Sequence, residues 1–197
     1  MIKKFSIFAL LALLLLPSGV LAAGAQGCTG LMDGSPDGAA VTASVSSAQT
    51  LALTAEEISW LTSMREEEKV TRDVYLTMYD TYKVRIFKNI ATSEQRHMDA
   101  VKKLLDTYSV ADPAAGRGIG EFTNPDLQKL YDDLIVQGSI SKVDTFKIGV
   151  LIEETDIDDL NKAIAAARHD DIITVYNNLL LGSNNHLDAF NSQLAEY

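Results

Sequence analysis

Four stretches of this sequence have the spacing of amphipathic helices, and each is interrupted at mid-stripe by residues that carry charge or ligate metals. The plainest case is Glu94-Gln95-Arg96-His97. Ile90, Glu94, His97, Val101, Leu104 and Tyr108 step by threes and fours, which keeps them on one face of a helix read from Lys88 to Ser109. A Glu and a His three apart also occur on solvated faces, so this pair alone specifies little. The constraint comes from its recurrence.

The first helix is expected to start at Thr54, which forms a capping box with Glu57 ahead of an apolar period. Leu61, Met64, Glu68, Thr71, Tyr75, Met78 and Tyr82 share its face, with Glu68 in the middle. Glu66 and Glu67 point off that face and read as solvated acids. A short turn around Val84 to Phe87 makes the first two helices antiparallel neighbours. Ala111-Asp112-Pro113 and the glycines from Gly116 to Gly120 break the helical pattern, and they lack the strand and helix that a nucleotide loop requires. Asn124-Pro125-Asp126 opens a short helix that stops at Gly138.

Ser141 caps a third long helix running to about Arg168, with Phe146, Gly149, Glu153, Asp156, Leu160 and Ile164 in line. Glu154, Asp158 and Asp159 fall off that line and read as surface charge. The fourth begins near Asp170 and aligns Ile172, Tyr176, Leu179, Ser183, His186, Phe190 and Gln193. Counted from the turn near Asp170, Glu153 lies about as far before it as Ser183 and His186 lie after it. The polar levels therefore coincide. The spacing predicts an all-α chain: a four-helix bundle whose second and third long helices are joined by a long crossover with a short extra helix. Gly182 reads either as a close backbone approach or as an ordinary packing glycine.

Magnitudes decide how the stripes must be satisfied. Burying four ionised acids, Glu68, Glu94, Glu153 and Asp156, costs several kcal/mol each, which rivals the ~5–15 kcal/mol total stability of a domain. Two divalent cations would balance the four carboxylates. His97 and His186 add imidazoles, which transition metals favour over calcium or magnesium. A single one of these residues is equally well explained by an outward-facing helix. Six residues over four stripes are not.

These residues resemble the ferritin-like di-iron carboxylate superfamily, in which two helices each give a Glu and two each give Glu-x-x-His inside a bundle. Glu68 and the tyrosine seven residues on are similar to the rubrerythrin branch. Glu94 with His97 matches the second-helix motif, Glu153 the third-helix glutamate, and Asp156 a further carboxylate found in rubrerythrins. His186 matches the fourth-helix histidine, but Ser183 stands where that motif has glutamate. The runs Met64–Lys69, Ser93–Met98 and Gly182–Leu187 are similar to an uncharacterised ferritin-like family of bacteria and archaea, often exported.

The resemblance implies a metal set of Glu68, Glu94, His97, Glu153, Asp156 and His186 holding two metal ions, iron first and manganese or zinc as alternatives. It implies oxidoreductase chemistry on oxygen, peroxide or ferrous iron, with an outside electron donor because the chain has only one cysteine. It also suggests a homodimer, and a small-molecule oxidant or iron as the partner. A different class stays open: a non-catalytic metal-binding or interaction bundle that lost turnover with the change at Ser183.

Composition bounds the rest. With 197 residues, 47% hydrophobic and 22% charged, the chain is sized for one domain with a sizeable core. The net charge of −10 and the absence of a basic patch exclude nucleic acid as the expected partner. Lys3 and Lys4, the apolar run from Phe5 to Leu16 and the small residues to Ala23 read as a secretory signal over residues 1–23, too short for a spanning helix. Residues 24–52 are expected to be a disordered linker and 53–197 the bundle. Cys28, preceded by Gly27, is a candidate lipid anchor ranked below plain secretion, so no other membrane contact is expected.

Overall fold

The computed structural model describes residues 52–197, which are all-α, with five helices and no strand among the described residues. They are α1 (Ala55–Tyr82), α2 (Arg85–Thr107), α3 (Pro125–Gly138), α4 (Lys142–Ala166) and α5 (Asp170–Leu194). The signal, the Cys28 anchor and nearly all of the linker lie outside the described residues. No described helix is long and apolar enough to cross a membrane.

Local chemistry sets the helix ends. Thr54 Oγ1 accepts from the Glu57 amide at 3.1 Å while Glu57 Oε2 accepts from the Thr54 amide at 2.9 Å, closing the expected capping box. The same glutamate accepts from the Arg168 amide at 2.7 Å and lies 2.7 Å from His169 Nδ1, which ties the α4–α5 turn to the start of α1. Asn124 and Ser141 cap α3 and α4 through their side-chain oxygens, and Pro125 opens the first turn of α3. Each such cap stabilises its helix by about 1 kcal/mol. The second helix starts at Arg85, three residues earlier than its spacing predicts, because Val84 caps it without any side-chain hydrogen bond that the sequence could signal.

α1 packs mainly on α2 and α4 mainly on α5, while α1 also meets α4, α2 meets α5, and α3 lies on α1 and α4. This arrangement is compatible with the expected four-helix bundle and its long crossover. Two oily layers result. One gathers Val74, Tyr75, Met78, Phe87, Phe146 and Phe190; the other gathers Trp60, Leu61, Met64, Val101, Leu160 and Tyr176.

The crossover between α2 and α3 is pinned along α1. Arg65 makes two hydrogen bonds to Asp112, both at 3.0 Å, and donates to the Met98 carbonyl at 2.9 Å. One turn on, buried Lys69 pairs with Asp73, donates to the Gly118 carbonyl at 2.7 Å and sits 4.2 Å from the Phe122 ring centroid. Asp73 in turn accepts from the Gly120 amide at 3.0 Å. With the loop laid over its outer side, α1 is buried on every face from Ser63 to Thr71.

Packing corrects part of the sequence reading. Glu66 and Glu67 are buried rather than solvated, and Asp159 on α4 is fully buried beside Lys162 at 2.7 Å. Glu154 is half-buried, whereas Asp158 is exposed as expected.

Candidate metal centre

Between the two oily layers the helices bring the polar residues of four stripes to one level. α1 contributes Glu68, α2 Glu94 and His97, α4 Glu153 and Asp156, and α5 Ser183 and His186, all of them buried. Glu94 sits in the middle. Its Oε2 lies 2.8 Å from His97 Nδ1 and its Oε1 lies 2.8 Å from His186 Nδ1. A second acid approaches the same nitrogen of each imidazole, Glu68 at 3.3 Å from His97 Nδ1 and Glu153 at 3.6 Å from His186 Nδ1. The two rings stack with centroids 5.6 Å apart.

Two donor groups follow from this geometry, Glu68–Glu94–His97 and Glu94–Glu153–His186, each with one ligand atom per residue inside 4.8 Å of the others. Asp156, on α4, belongs to neither group but is buried close enough to feel the charges of Glu94 and His97. Ser183 donates its hydroxyl to Asp156 Oδ2 at 2.6 Å. The serine thus fixes the position of the Asp156 carboxylate. Tyr75 acts in the same way on Glu153, donating to Oε1 at 2.7 Å.

Hydrogen bonding leaves this cluster incomplete. Glu68 Oε1, Glu94 Oε1, Asp156 Oδ1 and His186 Nδ1 are buried without a hydrogen-bond partner. The 2.8 Å approach of His186 to Glu94 lies off the N–H direction, so the short contact satisfies neither atom. Unpaired buried polar atoms of this kind cost about 1–3 kcal/mol each, more when charged. Unpaired polar atoms gathered at one level are positions that a bound cation would take as ligands.

Electrostatics point the same way. Burial pushes Glu68 well above the usual carboxylate range and Glu153 up to about 8, against the pull of the neighbouring imidazoles. Burial and the Glu94 charge outweigh the Ser183 hydrogen bond and raise Asp156 to about 6. Glu94 is the exception. Burial pushes it up, but His186 and His97 together hold it down at about 2. The histidines feel the reverse: burial lowers them, and the acids bring His97 to about 11 and His186 to about 9.

Gly182 is a close-approach glycine. A Cβ there would lie 2.5 Å from His97 Nε2 and 2.7 Å from Cε1. Gly182→Ala is therefore expected to push the His97 ring off its line with Glu68 and Glu94. Zinc titration calorimetry should show the affinity at that half of the site falling by roughly tenfold or more, as when a positioning contact to a ligand histidine is lost, with the other half retained.

Glu67, which reads with Glu66 as a solvated charge run, is buried. It lies about 100° round α1 from Glu68, so the spacing of α1 gives no signal of its burial, which comes from α4, where Asp159, Asp156 and Lys162 stand near it.

Residues 57–196 match a family described as the uncharacterized protein domain DUF2202. Over 153 residues the chain is 49% identical to the uncharacterized protein MJ0754 of Methanocaldococcus jannaschii, covering 78% of this chain and 83% of that protein. The crystal structure of hypothetical protein MJ0754 from the same archaeon superposes with a TM-score of 0.74, covering 77% of this chain and 87% of that one. With a match across most of its length and a relative at nearly half identity, this chain belongs to the DUF2202 family.

Proposed function

We propose that this protein is an exported ferritin-like bundle holding two transition-metal ions, iron foremost, and acting as an oxidoreductase on oxygen, peroxide or ferrous iron. The observation that carries the reading is Glu94, one oxygen beside each of two imidazoles, with a further acid beside the same nitrogen of each ring. The donor set fits the ions. Four carboxylates balance two divalent cations in charge, the buried unpaired atoms supply ligand positions, and mixed imidazole and carboxylate donors suit first-row transition metals.

Glu68 and His97 would hold one ion and Glu153 and His186 the other, with Glu94 between them and Asp156 on the same centre. Such ions, when bound, supply electrons and open positions for a small oxidant. Ser183 fixes the Asp156 carboxylate and Tyr75 fixes Glu153, so two ligands are oriented before any ion arrives. The aromatic layer of Tyr75, Phe87, Phe146 and Phe190 closes one side of the site to water. Both imidazoles keep slight exposure, 8% each against 1% for the three glutamates, which makes the α2–α5 side the way in for a small solute.

The test is metal analysis of protein made without a tag, then anaerobic loading with ferrous iron and exposure to oxygen or peroxide. Two tightly held ions per chain and iron oxidation faster than in free solution are expected. Failure to retain metal would overturn the reading, and tight binding with no reaction would leave a metal-binding module.

A further inference from the structure

Sustained turnover at the proposed centre needs electrons from an outside donor, and its buried acids and imidazoles are out of reach of anything larger than a small solute. A row of aromatic rings leads from that centre to the surface. It starts at Tyr75, whose hydroxyl donates to Glu153 Oε1 at 2.7 Å. By ring centroids Tyr75 lies 6.0 Å from Phe87 and 5.2 Å from Phe190, which is itself 5.4 Å from Phe87. Phe87 stacks on Phe146 at 5.5 Å with the ring planes 10° apart. Phe146 then meets Tyr197 at 6.0 Å. The first four rings are buried, whereas Tyr197 is 71% exposed.

Core packing accounts for the phenylalanines, since centroid separations of about 4.5–7 Å are ordinary for packed rings. It does not account for the two ends. Tyr75 brings a phenol into the core where phenylalanine would leave no polar atom to satisfy. Its hydrogen bond orients Glu153, and the same bond gives the phenolic proton a place to go. Tyr197 holds its ring against Phe146 while most of the residue stands in water. Phenols give up one electron to strong biological oxidants and phenylalanine rings do not. Phe87 and Phe146 are therefore contacts between two tyrosines rather than stops on the way.

We propose that Tyr75 and Tyr197 are the inner and outer stations of an electron path into the metal centre, joined through the rings of Phe87 and Phe146. The assignment rests on the two-metal oxidoreductase reading. Tyr75 gives one electron to the oxidised centre, and its O–H proton moves along the hydrogen bond to Glu153. One electron from Tyr197 fills the vacancy on Tyr75, which takes its proton back from Glu153, while Tyr197 releases its own phenolic proton to water. A small one-electron reductant in solution, of the ferrocyanide class, then restores Tyr197, which regains a proton from water. One electron passes from donor to centre, and both tyrosines are unchanged.

The probe is full-length protein loaded with ferrous iron, its metal content measured first, then treated with hydrogen peroxide and a nitroso spin trap without reductant. Peptide mass spectrometry locates the adduct, which is expected on Tyr197. Phe146→Leu keeps the core apolar and should lower the Tyr197 adduct at least tenfold with iron content unchanged. Tyr197→Phe removes the outer station, so freeze-quenched samples should show a longer-lived tyrosyl radical by electron paramagnetic resonance.

Two bound ions with no Tyr197 adduct, or with an adduct undiminished in Phe146→Leu, would overturn the path and leave the two-metal reading standing. Equal labelling of the partly exposed Tyr79 and Tyr131 in every variant would show stray oxidation and overturn it too. Protein that holds no metal overturns both readings.

Discussion

Alanine at Glu94 is expected to empty both halves of the metal centre at once, which no other single substitution in the cluster should do. Glu94 is the residue shared by the two donor groups, with one oxygen 2.8 Å from each histidine. Losing a ligand common to both ions should weaken each by more than ~100-fold, beyond the 10–100-fold seen when only a supporting contact is removed. Elemental analysis after gel filtration should fall from two ions per chain to almost none. Glu94→Gln keeps the packing and should do the same, which separates ligand loss from collapse of the core. His186→Ala and Asp156→Ala should each lose one ion and keep most of the other. Glu154→Ala, half-buried on a different face of α4, should alter neither. A Glu94→Gln protein that still holds two ions would remove the basis for the two-metal reading.

Metal-free protein is expected to melt higher at about pH 6 than at about pH 8, by roughly 5–10 °C, and metal should abolish that difference. In the folded state burial holds Glu153 at about 8 and Asp156 at about 6, and it raises Glu68 and Glu67 as well. In the unfolded chain the same groups ionise at 4.5 for Glu and 3.8 for Asp. The folded state therefore binds more protons across this range, and stability falls as pH rises through it. The histidines add to the effect. Burial lowers them but the acids raise His97 to about 11 and His186 to about 9, so their stabilisation is complete below 6.5 and is lost as pH rises through those values.

Glu94 runs the other way. His186 and His97 overcome its burial and hold it at about 2, so its contribution is present above 4.5 and is lost as pH falls toward 2. Metal-free stability should peak in mildly acidic solution. Each pKa unit corresponds to about 1.4 kcal/mol, so a change of a few kcal/mol between these two pH values is within reach of the shifts involved. Zinc, which is redox-silent, binds the deprotonated ligands and should raise the melting temperature most at neutral and alkaline pH. Scanning calorimetry with and without zinc measures both effects. A metal-free melting temperature that rises with pH over this range would mean the acids are not buried together.

The sequence by itself determined the helices and the level at which their polar residues meet. Steps of three and four placed Glu68, Glu94, His97, Glu153, Asp156 and His186 on inward stripes, and distance from the turn at Asp170 put α4 and α5 in register. Capping chemistry marked Thr54, Asn124 and Ser141, because the residues that cap a helix end are its immediate neighbours in the chain.

Tertiary structure decided what depends on residues far apart. Glu67 and Asp159 look solvated on a helical wheel. Glu67 is buried because α4, about 90 residues further along the chain, brings Asp159, Asp156 and Lys162 to its side of α1. Ser183 reads as a lost ligand until Asp156, 27 residues away, is found accepting its hydroxyl. Gly182 had two equal explanations in sequence, and only the position of the His97 ring chose between them. Periodicity fixes which way a side chain points from its own helix, but burial and partnership depend on what the fold brings to that face.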